Sequence, residues 1–459
     1  MWQPLLHLMK EWRRRGSGVA APENKEVTAG RAVRRLPFAP ELTVLLAQHT
    51  GAPSAPSVHE GQEVVRGEPI AEPGGFVSVP QHAPATGVVS RIGLAMAASG
   101  KMAGAIRMRV YPASSQEVLY GAPRELDMLS REELVAAVRD AGLVGLGGAA
   151  FPTHVKLSIP KGKQADTVLA NGCECEPYLT TDHRVMVERS AEVVAGLRLA
   201  MRAVGASRAV IAIEDNKPDA IAAFQQAIQP DESVQVATLN TRYPQGAEKV
   251  LIKAVLDRDV PPRGLPVDVG AVVLNVGTLA QMAELLPMRR GLIERVITVA
   301  GDGVERPGNY LVPLGTPLRF LLGHAGFQGT ARQVVLGGPM MGAAVASLDV
   351  PITKGTTGVL ALTEEQVAAP RPVRPCIRCG ACVEVCPMRL NPSELGLLAR
   401  KRRYTLMEEQ YHLNDCFECG CCSYVCPSNI PLVQLFRVAK SMNREAAARE
   451  QTAAKEETA

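Results

Sequence analysis

The sequence predicts a multidomain protein of the α/β-plus-β class, and three observations support this prediction. Residues 38–112 are short β segments separated by glycine and proline, which is typical of a small all-β unit. Residues 126–290 alternate helical and strand patterns, which predicts an α/β domain with a mostly parallel sheet. Residues 375–438 carry two copies of one cysteine pattern. A chain of 459 residues has room for about three or four domains.

Composition excludes several classes of protein. The net charge is only +4, and no surface pattern of basic and aromatic residues supports nucleic-acid binding. The most apolar stretch, residues 269–288, contains Asn275, Gln281 and Glu284, so it falls short of the ~20 apolar residues of a membrane span. The sequence does not open with a basic segment followed by an apolar stretch, so it gives no indication of a secretory signal. Three of the eleven cysteines lie outside the repeated pattern, and this odd number favours a reducing compartment over disulfides.

Residues 1–37 are predicted to form an amphipathic helix and a linker. Both tryptophans, Trp2 and Trp12, share helical spacing with other apolar residues, and three arginines follow at positions 13–15. Tryptophan beside a basic cluster suits a membrane interface or a membrane-bound partner. A helix packed on the protein's own surface, or a frayed terminus, is the alternative.

Residues 38–125 resemble the barrel-sandwich hybrid of biotinyl- and lipoyl-type domains. Carrier domains of that type bear a modified lysine at a hairpin tip. The segment between the two matching motifs, residues 72–80, contains no lysine. We therefore expect a structural module here and no carrier function.

Residues 126–290 are predicted as one α/β domain. Its predicted helices and strands alternate along the chain, with helices at 131–141, 190–204 and 218–228 and strands at 167–170, 209–214, 234–239 and 271–276. A glycine-rich loop at 140–153 follows the first helix, and glycine lets backbone N–H groups approach a phosphate closely. Such a loop alone is weak evidence and could be a plain turn. Polar residues after the first strand lie where ligands of α/β sheets bind.

The glycine loop and the segment at residues 169–178 together resemble the NADH/flavin subunit of respiratory complex I, in which a GxGGxGFPT loop and an N-x-x-E-x-E-P segment enclose FMN and the nicotinamide. The resemblance implies three groups of site residues: Gly145, Gly147, Gly148 and Lys156 at the flavin phosphate, Asn171 and Glu174 at the ribityl chain and ring, and Glu176 and Phe151 on the nicotinamide side as catalytic residues. Secondary cofactor-binding candidates are Gly246, Glu248 and Asn275. Ala247 and Leu274 stand where that subunit has polar residues. A related fold without cofactor is the alternative.

Residues 291–363 resemble the soluble-ligand-binding β-grasp module, SLBB. Two stretches, 297–310 and 317–322, are predicted to be β in character. A linker rich in proline, alanine and arginine is predicted at 364–374, and a charged tail at 439–459 is expected to be a solvated helix or disordered.

The two cysteine motifs, at 376–387 and 416–427, both read C-x₂-C-x₂-C-x₃-C-P, the pattern that binds [4Fe–4S] clusters in two-cluster ferredoxins. Three thiolates of each motif bind one cluster, and the fourth serves the other cluster. The predicted ligands are Cys376, Cys379, Cys382 and Cys426 for the first cluster, and Cys416, Cys419, Cys422 and Cys386 for the second. Two structural zinc sites are the alternative, which this spacing fits poorly. Cys173, Cys175 and Cys421 are expected to be packing residues.

The order of these modules, together with the motif at residues 171–184, resembles the C-subunit family of the Rnf (Rsx) electron-transport complexes over nearly the whole chain. The resemblance implies an NADH-facing peripheral subunit of an ion-translocating NAD–ferredoxin oxidoreductase, a translocase, with two [4Fe–4S] clusters, FMN, and NAD(H) as substrate. Implied partners are other Rnf-type subunits, including integral-membrane ones, and an iron–sulfur acceptor subunit, with ferredoxin reached indirectly. The implied location is the cytoplasmic face of the bacterial inner membrane. A flavin belongs between a two-electron donor and one-electron clusters. A soluble flavin–iron–sulfur dehydrogenase, or a wiring subunit without NADH chemistry, is the alternative.

Overall fold

The computed structural model describes residues 18–229, 233–367, 369 and 371–457. The helix predicted at residues 1–15 lies outside the described residues. The strands in chain order are β1 (Arg34–Arg35), β2 (Glu41–Leu45), β3 (Ala55–Pro56), β4 (Glu63–Val64), β5 (Pro69–Glu72), β6 (Gln81–His82), β7 (Gly87–Met96), β8 (Met102–Val110), β9 (Thr167–Gly172), β10 (Arg208–Glu214), β11 (Val234–Leu239), β12 (Ala271–Asn275), β13 (Glu294–Ala300), β14 (Gly308–Pro313), β15 (Gln333–Leu336), β16 (Ala343–Ala344) and β17 (Gly358–Leu362).

Helices separate and cover these strands. The α-helices are Glu26–Ala29, Arg131–Asp140, Thr153–Leu157, Thr181–Glu188, Ser190–Val204, Pro218–Ala227, Glu248–Leu256, Val276–Leu285, Leu318–His324, Ala381–Glu384, Pro392–Arg400, Tyr404–Glu409, Cys421–Tyr424 and Leu432–Glu457. Within the described part of the chain, none of them combines the length and apolarity that a membrane span requires.

The N-terminal β unit consists of two antiparallel sheets. One has the strand order β2-β8-β7-β4 and the other β3-β5-β6. Apolar residues of both sheets, among them Val44, Ile70, Val89 and Ile106, pack together and are almost fully buried. Burial of this shared core holds the two sheets face to face.

The α/β domain has one four-stranded sheet, β11-β10-β9-β12, in which every strand pair is parallel. The parallel sheet confirms the prediction from the alternating pattern. Helices Ser190–Val204 and Val276–Leu285 pack closely, because a Cβ atom on Gly196 would lie 1.9 Å from the carbonyl oxygen of Leu279. Helix Val276–Leu285 was not predicted. Most of its side chains are buried, and its partly or fully exposed polar residues are limited to Gln281 and Glu284, which are too few to reveal a helical period.

The third unit is a mixed six-stranded sheet with the order β1-β14-β13-β17-β15-β16. The β prediction for residues 317–322 is wrong, because Leu318–His324 is a helix. Leu318, Leu321 and Leu322 are completely buried and share one face of that helix. A short apolar run looks the same in a buried strand and in a buried helix, and periodicity alone cannot separate the two.

The cysteine-rich module at the C-terminal end is helical. Leu395, Met407, Leu413 and Phe436 form its buried core. The predicted tail is helical through residue 457, as part of helix Leu432–Glu457. The structure therefore decides between the two expectations for the tail in favour of a helix.

Candidate functional site

The carboxyl ends of three parallel strands form one edge of the α/β sheet. β9 ends at Gly172, β10 at Glu214 and β12 at Asn275. The glycine loop crosses this edge, because a Cβ atom on Gly147 would lie 3.2 Å from Nδ2 of Asn275. Two residues far apart in the sequence, both predicted from the resemblance, are thereby brought into contact at the edge where α/β proteins bind ligands.

The glycine loop is closed by its own backbone. The N–H of Gly145 donates to the carbonyl of Phe151 (2.8 Å), and the N–H of Ala150 donates to the carbonyl of Gly145 (3.1 Å). Gly148 has a φ of +107°, a conformation that favours glycine. Gly147, Gly148 and Ala149 are exposed, and no group among the described residues accepts a hydrogen bond from their N–H groups. Free N–H groups on an exposed glycine loop fit the phosphate of a flavin nucleotide.

The buried side chain of Arg295 holds the glycine loop in place. The guanidinium of Arg295 donates to the carbonyl oxygens of Leu146 (3.0 Å) and Lys354. Only 3% of Arg295 is exposed, and burial lowers its pKa to about 10. The residue therefore fixes the loop and places a positive charge at the carbonyl of Leu146, the residue before the exposed Gly147. Its position in β13 offered no sequence signal for such a role.

Both polar atoms of the Asn275 side chain form hydrogen bonds within the protein. Its Oδ1 accepts from the N–H groups of Gly277 (2.9 Å) and Thr278 (3.3 Å), which caps helix Val276–Leu285. Its Nδ2 donates to Oδ2 of Asp182 (2.7 Å). Burial raises the pKa of Asp182 to about 7, and the nearby Glu174 carboxylate contributes to this rise. Asp182 belongs to the motif at residues 171–184 but was not predicted as a site residue.

The side chain of Glu174 is buried and lies at the N-terminus of helix Thr181–Glu188. Its carboxylate accepts from the N–H groups of Asp182 (2.8 Å) and His183 (3.2 Å), in the first turn of Thr181–Glu188. A carboxylate at a helix N-terminus is stabilised by the helix dipole. Glu174 therefore positions the segment that supplies Asp182.

The other predicted cofactor residues contact one another in pairs. Lys156 forms an ion pair with Glu248, and its Nζ also donates to the carbonyl of Val273 (3.3 Å). Nδ2 of Asn171 donates to the carbonyl of Gly246 (2.8 Å). The structure thus places Glu248 beside Lys156 and Gly246 beside Asn171. Glu248 also neutralises the Lys156 ammonium, which was predicted to contact the flavin phosphate.

Glu176 contacts the SLBB unit. Its two carboxylate oxygens accept from the N–H groups of Met340 (3.0 Å) and Met341 (2.8 Å). Burial raises the pKa of Glu176, and these two hydrogen bonds oppose the shift. A Cβ atom on Gly338 would lie 2.2 Å from Oε2 of Glu176, so only glycine permits this approach. The predicted catalytic carboxylate therefore holds a loop of another unit against the site.

Lys25 lies beside the site, although it is not among the residues that the sequence predicts for it. Its Nζ donates to the carbonyl oxygens of Glu174 (2.9 Å), Glu176 (2.8 Å) and Leu179. Burial lowers the pKa of this ammonium. Lys25 lies within the predicted N-terminal linker, and nothing in its sequence context distinguishes it from a surface lysine. It ties that segment to the backbone that carries both predicted glutamates.

The thiols of the cysteine-rich module form two groups. One cavity is lined by Cys376, Cys379, Cys382 and Cys426. Burial raises the pKa of the Cys382 thiol, and the charges of Cys426, Cys379 and Cys376 raise it further. Burial likewise raises the pKa of Cys422, and the charges of Cys416, Cys419 and Cys386 add more to that shift than the charge of Cys382 does. This is the grouping that the exchanged-ligand assignment predicts, and four thiols around a cavity fit a [4Fe–4S] cluster. The ligand assignment itself stays a prediction.

The second thiol group lies against the α/β domain. The hydroxyl of Tyr243 donates to the carbonyl of Cys419 (2.6 Å), and the Cys421 thiol lies 3.8 Å from the carbonyl oxygen of Tyr243. Tyr243 is 2% exposed, and burial raises its pKa. Cys175 packs in the same apolar cluster. Tyr243 follows from no chemical motif, so only the structure identifies it as a bridge between the two units.

Known families match this chain in the predicted order. The matches are the RnfC barrel sandwich hybrid domain at residues 13–110, the Nuo51 FMN-binding domain at 138–284, the SLBB domain at 296–344 and the 4Fe-4S dicluster domain at 375–430. They confirm the predicted fold class of barrel-sandwich hybrid, α/β domain, SLBB module and two-cluster ferredoxin-like module. They also confirm FMN and two [4Fe–4S] clusters as the cofactors of this chain.

Curated relatives match most of the chain. The C subunit of the proton-translocating ferredoxin:NAD(+) oxidoreductase complex of Clostridium ljungdahlii is 42% identical, with 96% of each chain covered. Its counterpart in the Na(+)-translocating ferredoxin:NAD(+) oxidoreductase complex of Acetobacterium woodii is 41% identical, with 92% of this chain and 95% of the relative covered. The counterpart in the ion-translocating oxidoreductase complex of Pseudomonas aeruginosa is 41% identical over 93% of this chain and 55% of the longer relative.

Proposed function

The chain belongs to the family of C subunits of ion-translocating ferredoxin:NAD(+) oxidoreductase complexes, and we propose that it is the NAD(H)-facing, peripheral electron-transfer subunit of such a complex. As a member of this family it is one subunit of a multi-subunit assembly. The substrate side is the sheet edge with the glycine loop. The coupling ion differs between the first two relatives named above, so the family alone does not assign it to this chain.

One observation carries this proposal: the contact of Tyr243 with Cys419 joins the flavin-type domain directly to the second thiol group. When bound, the flavin accepts two electrons from NADH as hydride and releases them one at a time. The exposed N–H groups of the glycine loop bind its phosphate, and Asn171 and Asn275 shape the floor of the site. Glu176 and Phe151 flank the nicotinamide side. Tyr243 would hold the second thiol group, and a cluster bound there, against this domain, and that cluster would supply a one-electron acceptor beside the flavin.

The first experiment measures cofactors in anaerobically purified protein. We expect flavin, iron and acid-labile sulfide in amounts that fit one FMN and two [4Fe–4S] clusters, together with NADH-dependent dye reduction. Gly147→Ala should bind FMN several-fold more weakly, because the new Cβ would lie 3.2 Å from Asn275. Gly323→Ala is the matched control, since no atom lies within 4 Å of its added Cβ. Absence of flavin from the wild type would instead favour the wiring subunit without NADH chemistry.

The second experiment concerns attachment to the membrane. The proposal places the chain on the cytoplasmic face of the bacterial inner membrane, held by integral-membrane partners that move the ion. The sequence of residues 1–15 suits a supporting contact, since one short amphipathic helix with a basic cluster adds only marginal affinity. Deletion of residues 1–15 should release part of the protein from membranes while both clusters and dye reduction persist. Dye-active wild-type protein that never associates with membranes would favour the soluble dehydrogenase.

A further inference from the structure

The surface around the first thiol group is open to solvent. We define the first-motif surface by Ile377, Arg378, Cys379 and Arg400, which line the mouth of the cavity formed by the first four thiols. Cys379 is exposed, and Ile377 is 67% exposed. A predicted cluster ligand at the protein surface gives a redox partner a short path to the cluster.

The segment that carries this surface is strongly basic, and two of its arginines, Arg378 and Arg400, line the cavity itself. Residues 371–403 contain only two acidic residues and eight basic ones, all eight of which are exposed: Arg371, Arg374, Arg378, Arg389, Arg400, Lys401, Arg402 and Arg403. The segment therefore carries a net charge of +6, more than the +4 of the entire chain. The backbone N–H of Arg374 donates to the carbonyl of Ser428, and Ser428 lines the same cavity.

These charges are not used for internal pairing. Within the described part of the chain, no acidic side chain forms a salt bridge with any of the eight. Arg400 and Lys401 lie at the C-terminus of helix Pro392–Arg400, where a cation stabilises the helix dipole. Stabilisation of the helix dipole explains the charges of Arg400 and Lys401. It does not explain the charge of Arg378, which lies in the cysteine loop itself. Arg378 and Arg400 both line the cavity, so a ligand of opposite charge that docks there would gain from both of them.

On the basis of the proposed function, we propose that the first-motif surface docks an acidic iron–sulfur protein that exchanges electrons with the first cluster. The step moves one electron from the reduced cluster to an oxidised cluster of the partner, and no covalent bond changes. The apolar Ile377 supplies a desolvated contact at the centre, and the arginines around it supply steering and orientation. An anionic lipid surface would satisfy the same charges, but it would cover the exposed Cys379 with material that accepts no electron.

The test uses holoprotein that has been reduced with dithionite and freed of excess reductant, with a purified oxidised acidic two-[4Fe–4S] ferredoxin as the probe and stopped-flow detection. Arg378→Glu with Arg400→Glu should lower the second-order rate constant for ferredoxin reduction roughly tenfold at about 50 mM salt, because electrostatic steering accelerates association 10–10³-fold. The difference should shrink to about twofold at about 500 mM salt, where charges are screened within a few ångströms. NADH–dye reduction should not change in Lys401→Glu with Arg403→Glu, a second charge reversal in the same segment whose residues do not line this cavity.

Two further double variants serve as controls for this experiment. Lys401→Glu with Arg403→Glu lies outside the cysteine loop and should show the same salt-dependent loss, which would exclude disturbed cluster assembly as its cause. Arg91→Glu with Lys101→Glu makes the same charge change on the exposed β7–β8 hairpin and should have no effect. Iron content and the electron paramagnetic resonance spectrum report on cluster integrity in each variant.

The outcomes separate this proposal from the proposed function. Equal rate constants for wild type and both surface variants, with active wild type, would overturn the docking surface and leave the proposed function intact. Wild type that reduces neither dye nor ferredoxin would overturn the proposed function itself. Loss of binding to phosphatidylglycerol vesicles with unchanged ferredoxin reduction would assign the surface to lipid and also overturn the docking proposal.

Discussion

The two halves of the cysteine-rich module are local repeats with opposite surroundings. Gly380 and Gly420 have φ values of +81° and +84°, and Arg378 and Glu418 both have positive φ in equivalent positions of the two motifs. The second half packs against the α/β domain through Tyr243, whereas the first half exposes Cys379. Identical cysteine spacing therefore gives two thiol groups of different exposure, since the first contains the exposed Cys379 and the second contains the buried Cys386 and Cys422.

The difference arises from residues between and beyond the cysteines. Glu418 pairs with Arg437 and Lys440, at 3.0 Å each, while Arg378 at the equivalent position lines the open cavity. Gly420 also approaches the SLBB loop, because its added Cβ would lie 3.2 Å from the carbonyl oxygen of Met340. The cysteine pattern specifies what is bound, and the flanking residues specify which neighbour each group meets.

The largest expected effect comes from breaking the exchanged-ligand arrangement. Cys386→Ala should abolish the second-motif cluster and retain the first, because Cys386 lies among Cys416, Cys419 and Cys422. Spectroscopy of the two centres in the purified variant measures this. Cys421→Ala is the matched control, as a thiol of the second motif that is not a predicted ligand, and should keep both clusters. Loss confined to the first-motif cluster would refute the assignment.

Tyr243→Phe tests the contact that makes the second half interior. The change leaves the carbonyl of Cys419 without its donor, and an unsatisfied buried acceptor costs about 1–3 kcal/mol. We expect lower stability in urea and a shifted reduction potential for the second cluster alone. Tyr424→Phe, at an exposed position of the same motif, should change neither quantity. Equal shifts of both potentials would contradict a contact specific to the second half.

Glu176→Gln tests whether the SLBB loop beside Gly420 serves the substrate side. The amide removes the charge and one of two acceptor oxygens that hold Met340 and Met341. NADH-dependent dye reduction should fall about tenfold, equivalent to ~1.4 kcal/mol, while iron content stays unchanged. Glu117→Gln, at an exposed position of the N-terminal β unit, is the control. Unchanged dye reduction would show that the resemblance to the complex I flavin subunit misassigned this residue.

The smallest expected effect concerns the position where the two motifs carry opposite charges. Glu418→Gln should lower the free energy of unfolding by at most about 1 kcal/mol, since partly exposed ion pairs contribute little. Arg378→Gln should change it by less than about 0.5 kcal/mol, as expected for a surface residue without an internal partner. Chemical denaturation at low and high salt measures both variants. A larger loss of unfolding free energy for Arg378→Gln than for Glu418→Gln would contradict the different surroundings of the two motifs.

The sequence by itself determined the parts whose signal is local. Cysteine spacing identified the two motifs, alternating periodicity predicted the parallel sheet, and Ser190–Val204 and Val234–Leu239 have the predicted boundaries. The glycine loop was also predicted from local residue types at short separations, whereas Asn275 was predicted only from the resemblance to the complex I flavin subunit.

Only the tertiary structure decided which of these parts meet. Lys25, Arg295 and Tyr243 act through backbone carbonyls that lie 59 to 176 positions away in the sequence, and a carbonyl group is present at every residue. No residue type marks such a partner in advance. For the same reason, the two equivalent cysteine motifs could not be ranked as interior and exposed before their neighbours were known, because exposure depends on packing between units and not on the spacing within a motif.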